Sequence, residues 1–68
     1  MSNLALILPL KIRLAAECFI IEDATCYALA YVYFEHVESR RVAMRRLTKA
    51  DALKVARITT RALTADAG

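Results

Sequence analysis

Few side chains in this sequence are of a kind that makes or breaks bonds, and their spacing keeps them apart. His36 is the single histidine, set among Glu35 and Glu38 in a polar stretch, the ordinary setting of a solvated side chain. A metal centre needs three or four ligands around one ion. Cys26 and His36 bracket an extended run, which at about 3.3 Å per residue holds them roughly 30 Å apart. Cys18 and Cys26 do not make a Cys-x-x-Cys pair. Gly68 is the only glycine, so no glycine-rich loop exists to cradle a phosphate. Glu17 and Glu22 read as isolated carboxylates, and no Ser/His/Asp or Cys/His set emerges from the spacing. The expectation is a protein that is not an enzyme and uses no metal or cofactor.

The residues with more to offer are tyrosines and arginines. Tyr27, Leu29, Tyr31 and Tyr33 alternate along one run and share one side of an extended strand. Aromatic rings on a sheet can stack bases, with Arg40, Arg41, Arg45 and Arg46 tracking phosphates. The competing reading is that the four alternating residues meet the same face of a second subunit, since contiguous apolar surface marks protein contacts and twofold pairing is the commonest oligomer. Alternating aromatics in a strand are more often packed than stacked on bases. The sequence is therefore read as a small homodimeric structural or interaction domain, with a nucleic-acid-binding accessory protein as the alternative.

These side chains need elements to hold them. Ala28-Leu29-Ala30-Tyr31-Val32-Tyr33-Phe34 is an uncharged run of strand-favouring character, apolar on both sides. Residues 17–22 predict a second strand, and residues 10–15 fit either a short strand or a helix. Asp23-Ala24-Thr25-Cys26 forms the turn between the strands, without glycine or asparagine to take a positive φ. A two-residue turn puts Phe19 and Ile21 beside Ala28, Ala30 and Val32; a three-residue turn with a bulge at Cys26 puts Ile20 there instead. Residues 35–41 predict a loop, and Val42 to Leu47 can pair as a further strand. Thr48 is a good N-cap for a helix over 49–63, with Ala52, Val55, Ala56, Thr59, Ala62 and Leu63 as its apolar stripe and Lys49, Lys54, Arg57 and Arg61 largely opposite. The predicted fold is α+β: an antiparallel β-meander of two to three strands followed by one C-terminal helix packed on one face. Residues 10–63 form the single domain, the sequence leaves open whether 1–9 are ordered, and 64–68 are expected to fray.

Composition bears on the partner. With 68 residues, of which 59% are hydrophobic, the chain carries more apolar material than the roughly 45–50% of an average domain. A chain this short buries only about 60% of its unfolded surface, and self-association is the simplest remedy. Residues 1–37 carry two basic and four acidic side chains, net −2, and residues 38–68 carry eight and three, net +5. A basic half suits nucleic acid but is also what a solvated helix face looks like. Two cysteines are too few for a secreted disulfide framework, which points to reduced, packing-type thiols in a cytoplasmic protein. The opening apolar run, Leu4 to Leu10, is far short of the roughly 20 residues that span a bilayer and contains Pro9. No membrane association is expected.

Several stretches carry a resemblance. Phe19-Ile20-Ile21-Glu22-Asp23-Ala24, Ala28-Leu29-Ala30-Tyr31-Val32-Tyr33-Phe34-Glu35, Arg40-Arg41 and Leu47-Thr48 ahead of Asp51-Ala52 resemble a family of short uncharacterised alphaproteobacterial proteins, from about Pro9 to residue 58. Ala-Leu-Ala-Tyr-Val-Tyr is the most specific part. Thr25-Cys26 stands where that family has Asn-Gly in the hairpin turn, and Ala50-Asp51 where it has an acidic pair. The resemblance implies a compact cytoplasmic domain and transfers no catalytic residue.

Overall fold

The computed structural model describes residues 5–67. Its middle strand is β2 (Cys18–Glu22), whose five residues are all buried. β1 (Lys11–Leu14) flanks it on one side and β3 (Ala28–Tyr33) on the other, giving an antiparallel meander in the order β1-β2-β3. Two helices follow, α1 (Glu38–Met44) and α2 (Lys49–Ala67). α2 is the C-terminal helix that packs on the sheet, so the fold is the expected α+β meander. Within residues 10–15, Lys11–Leu14 resolves as strand, where Ile12 and Leu14 alternate with Lys11 and Arg13.

The core lies between α2 and one face of the sheet. Phe19, Ile21, Phe34, Ala52 and Ala56 are buried there, with Ile12, Leu29, Ala30, Val32, Leu53 and Leu63 packed around them. Ala52 and Ala56 have no exposed surface, so the helix backbone comes close to the strands with only methyl groups between. The rings of Phe19 and Phe34 meet at 5.3 Å. Thr48 caps α2 as predicted, its Oγ1 accepting from the Asp51 N–H at 3.2 Å. The apolar stripe of the helix is turned slightly from the expected one: Val55 and Ala62 are exposed, and Leu53 takes part in the core.

The hairpin reconciles the two turn geometries left open by the sequence. Cys26 adopts φ 69°, its N–H donates to the Asp23 carbonyl at 3.0 Å, and Asp23 N–H donates to the Tyr27 carbonyl at 3.0 Å. This is a three-residue loop with a left-handed residue at its bulge position. On its own it would pair Ile20 with Ala30. A second irregularity intervenes between Ile21 and Glu22: Glu22 pairs with Ala28, but Ile21 pairs with Ala30 and Phe19 with Val32. The skipped residue, Leu29, is the bulge. It restores the register that puts Phe19 and Ile21 on the helix side, and it carries Leu29 to that side too.

Two boundaries differ from expectation. Val42 to Leu47 is not a strand: residues 38–44 form α1, because Glu, Arg, Ala and Met favour a helix and the positive φ of Arg45 (56°) ends it. Arg45 and Arg46 N–H groups close that end on the Val42 and Arg41 carbonyls. Leu47 alone bridges Phe34, running parallel. α2 continues to Ala67, past the expected end at 63, so most of the tail expected to fray is helical. Of the N-terminal segment whose order the sequence leaves open, residues 5–9 are described, and the Ile7 carbonyl accepts from Ala24 N–H at 2.8 Å; residues 1–4 lie outside the described residues.

Among the described residues Ile21 is the one large side chain with no exposed surface. Ile21→Ala is expected to cost about 3 kcal/mol, a large share of the few kcal/mol that stabilise a domain of this size, and thermal unfolding should show the transition collapse. Cys26→Gly should raise stability by roughly 0.5–1 kcal/mol, because glycine adopts the left-handed conformation without a Cβ penalty.

Candidate interaction surface

The sheet face turned away from α2 is assembled by strand pairing. Arg13, Ile20 and Tyr31 form one row across the sheet, Lys11 and Glu22 a second, Cys18 and Tyr33 a third. Among the described residues no helix covers this face, yet Cys18, Ile20 and Glu22 are buried. The Glu22 carboxylate accepts from Arg13 Nε at 3.0 Å and Nη2 at 2.9 Å. That hydrogen bond, with the attraction of the carboxylate, pushes the guanidinium pKa up. Glu22 is thus a neutralised buried charge and not the isolated carboxylate expected. Glu17 is likewise held, by Arg46 at 3.0 Å.

Tyr31 and Tyr33 remain about half exposed, at 54% and 47%. Their rings lie 6.4 Å apart and nearly parallel, and the Arg46 guanidinium sits 4.9 Å from the Tyr33 ring centre. Tyr27 is more exposed still but sits at the turn, beyond the strand. Leu29 does not belong to this surface: the bulge turns it into the core. The tyrosine surface is therefore shorter than predicted, two rings on the strand with Tyr27 at its end.

The predicted arginines are dispersed. Arg40 and Arg41 lie on α1, where Arg40 approaches Glu35 at 3.7 Å. Arg45 is the left-handed residue that ends α1. Arg46 alone joins the tyrosines. His36 is exposed, its ring edge-on to Phe34 at 5.4 Å.

Two local arrangements at the hairpin were not foreseen. Asp23 is buried, and its Oδ1 accepts from Thr25 Oγ1 at 2.6 Å, Thr25 N–H at 2.9 Å and Tyr27 N–H at 3.1 Å. The Thr25 hydroxyl foremost, then the backbone N–H groups, hold its carboxyl below the usual range against the opposing effect of burial. Cys26 is exposed where a packed thiol was expected, and Lys11 Nζ lies 3.1 Å from its Sγ. That contact raises the Lys11 pKa. An aspartate opening a turn with threonine two residues on is a readable signal for the first arrangement; the second joins separate strands and has none.

Among the described residues no group of three or more His, Cys, Asp and Glu could hold a metal ion, and no helix is long and apolar enough to cross a membrane. Comparison with protein-family models, with curated proteins and with solved structures gives no match.

Because the Asp23 carboxyl is depressed in the folded chain, its contribution is present above the ordinary carboxylate range and is lost as pH falls through the depressed value. Glu35, depressed chiefly by the Val37 N–H, adds in the same direction. Unfolding followed between about pH 6 and pH 3 should show stability declining on acidification. Asp23→Asn should start lower and decline less steeply.

Proposed function

We propose that this protein is a small non-enzymatic interaction domain that works as a homodimer through the tyrosine side of its sheet. The observation that carries this reading is the pair Tyr31 and Tyr33, half exposed on a strand whose outer face no element of the described chain covers.

The second helix adds to this. α1 buries none of its residues and packs against no other strand or helix of the described chain, and a helix of that length is marginal alone. Val42 on α1 is 71% exposed. A partner would give such a helix something to rest on.

A nucleic-acid surface would draw on the same rings with Arg46 and Arg13. Both guanidiniums are already engaged by carboxylates, Glu17 and Glu22, which weighs toward a protein partner. A cytoplasmic setting belongs to the same proposal, since both cysteines are free thiols, as does kinship with the alphaproteobacterial family resembled in sequence.

Sedimentation equilibrium over a concentration series tests the reading. Twice the single-chain mass is expected, with Tyr31→Asp shifting the population to single chains. A folded unmutated protein that stays at 7.6 kDa throughout overturns it.

A further inference from the structure

We propose that the protein binds a free, uncharged molecule with a medium-length aliphatic chain in a cavity between α2, β3 and the N-terminal segment. Leu6, Leu29, Ala30, Thr59 and Leu63 line a space of about 330 Å³ that opens to solvent. It lies on the helix side of the sheet, where Leu29, Ala30 and Leu63 pack against the core, and is separate from the tyrosine surface. The homodimer can therefore fail without affecting this site, and the reverse.

The cavity has a cause in the sequence. Along the first half of α2, small residues meet large ones: Ala52 and Ala56 lie against Phe19, Ile21 and Phe34, and the space between helix and sheet is filled. One turn further on, Thr59 shares the cavity wall with Ala30. Small against small leaves room into which the surrounding backbone collapses only in part. Leu29, turned inward by the bulge, and Leu6 supply further walls without filling the space.

Size and lining set the chemistry of the ligand. Small-molecule sites begin at about 300 Å³ and are mostly apolar with a few polar groups. An apolar cavity of about 150 Å³ takes up benzene, so one of about 330 Å³ holds roughly twice as much, a molecule of about ten to twelve heavy atoms. Three leucines and an alanine offer no ring to stack on, which suits a flexible chain over an aromatic one. Among the described residues no charged side chain lines the cavity, and a charge carried into it would lack a partner. The polar groups at hand are hydroxyls. Thr59 lines the cavity. Thr60 precedes Leu63 by three residues and so shares its side of the helix, and its buried Oγ1 has no hydrogen-bond partner among the described residues. A chain ending in an alcohol matches this lining.

Methyl-resolved NMR of the unmutated protein with 1-octanol tests the site. The expected result is saturable shifts of the Leu6, Leu29, Ala30 and Leu63 methyls, half-complete in the submillimolar range that so small a ligand reaches. Ala30→Leu, which fills the space between β3 and α2, should weaken the response at least tenfold. Methyls of the unmutated protein that do not saturate overturn the proposal, as does an Ala30→Leu protein that binds octanol equally well. If Ala30→Leu does not fold, nuclear Overhauser contacts between the octanol chain and these methyls decide: their presence supports the site and their absence overturns it. Phosphatidylcholine vesicles should leave the methyls unmoved. Shifts with vesicles and none with octanol overturn the free ligand in favour of a lipid surface, and shifts that follow protein concentration alone overturn it in favour of a second copy.

Discussion

A single helix lying on a three-stranded sheet is the constraint from which the rest of this molecule follows. Contact between α2 and the sheet is made by Ala52 and Ala56 against Phe19, Ile21 and Phe34. Small residues on the helix allow the backbones to approach, and that approach lets so short a chain enclose Ile21 completely. Such a core is one-sided. The opposite face of the sheet has to be roofed by what the strands themselves provide, and the rows of pairing show how: Arg13 and Tyr31 flank Ile20, while the Arg13 guanidinium neutralises Glu22. Only the central strand is covered this way. The tyrosines, being the roof, stay half exposed.

The bulge at Leu29 links this core to the surface. The left-handed Cys26 closes the hairpin tightly but in a register that would have turned Ile20 inward. One extra residue in β3 corrects the register, delivers Leu29 to the core and leaves Tyr31 and Tyr33 on the open face. The depressed Asp23 carboxylate, accepting three hydrogen bonds, secures the same turn. Core, turn and surface are thus one arrangement, and a change to the bulge would act on all three.

Much of the framework was legible in the sequence. The uncharged run from Ala28 to Phe34 could only be a strand, and Thr48 with its stripe of small residues announced α2 and its cap. What escaped was set by distance. Lys11 to Leu14 is too short for its alternation to separate strand from helix, and only its pairing with β2 decides. Val42 to Leu47 has the composition of a strand, but β3 offers it an edge only at Phe34, and the helix-favouring residues before it prevail. A bulge such as that at Leu29 leaves no mark in a sequence without glycine there, so its removal from the tyrosine surface could not be read. The pairs Arg13–Glu22 and Arg46–Glu17 span nine and 29 residues; charges so separated look isolated until the strands bring them together.

The claim on which the functional account rests is that the tyrosine side of the sheet of one chain lies against a second copy. Isotope-filtered nuclear Overhauser spectroscopy on a mixture of labelled and unlabelled chains observes this directly. The account predicts interchain contacts from the ring protons of Tyr31 and Tyr33. A folded sample without interchain signals from these rings would contradict it.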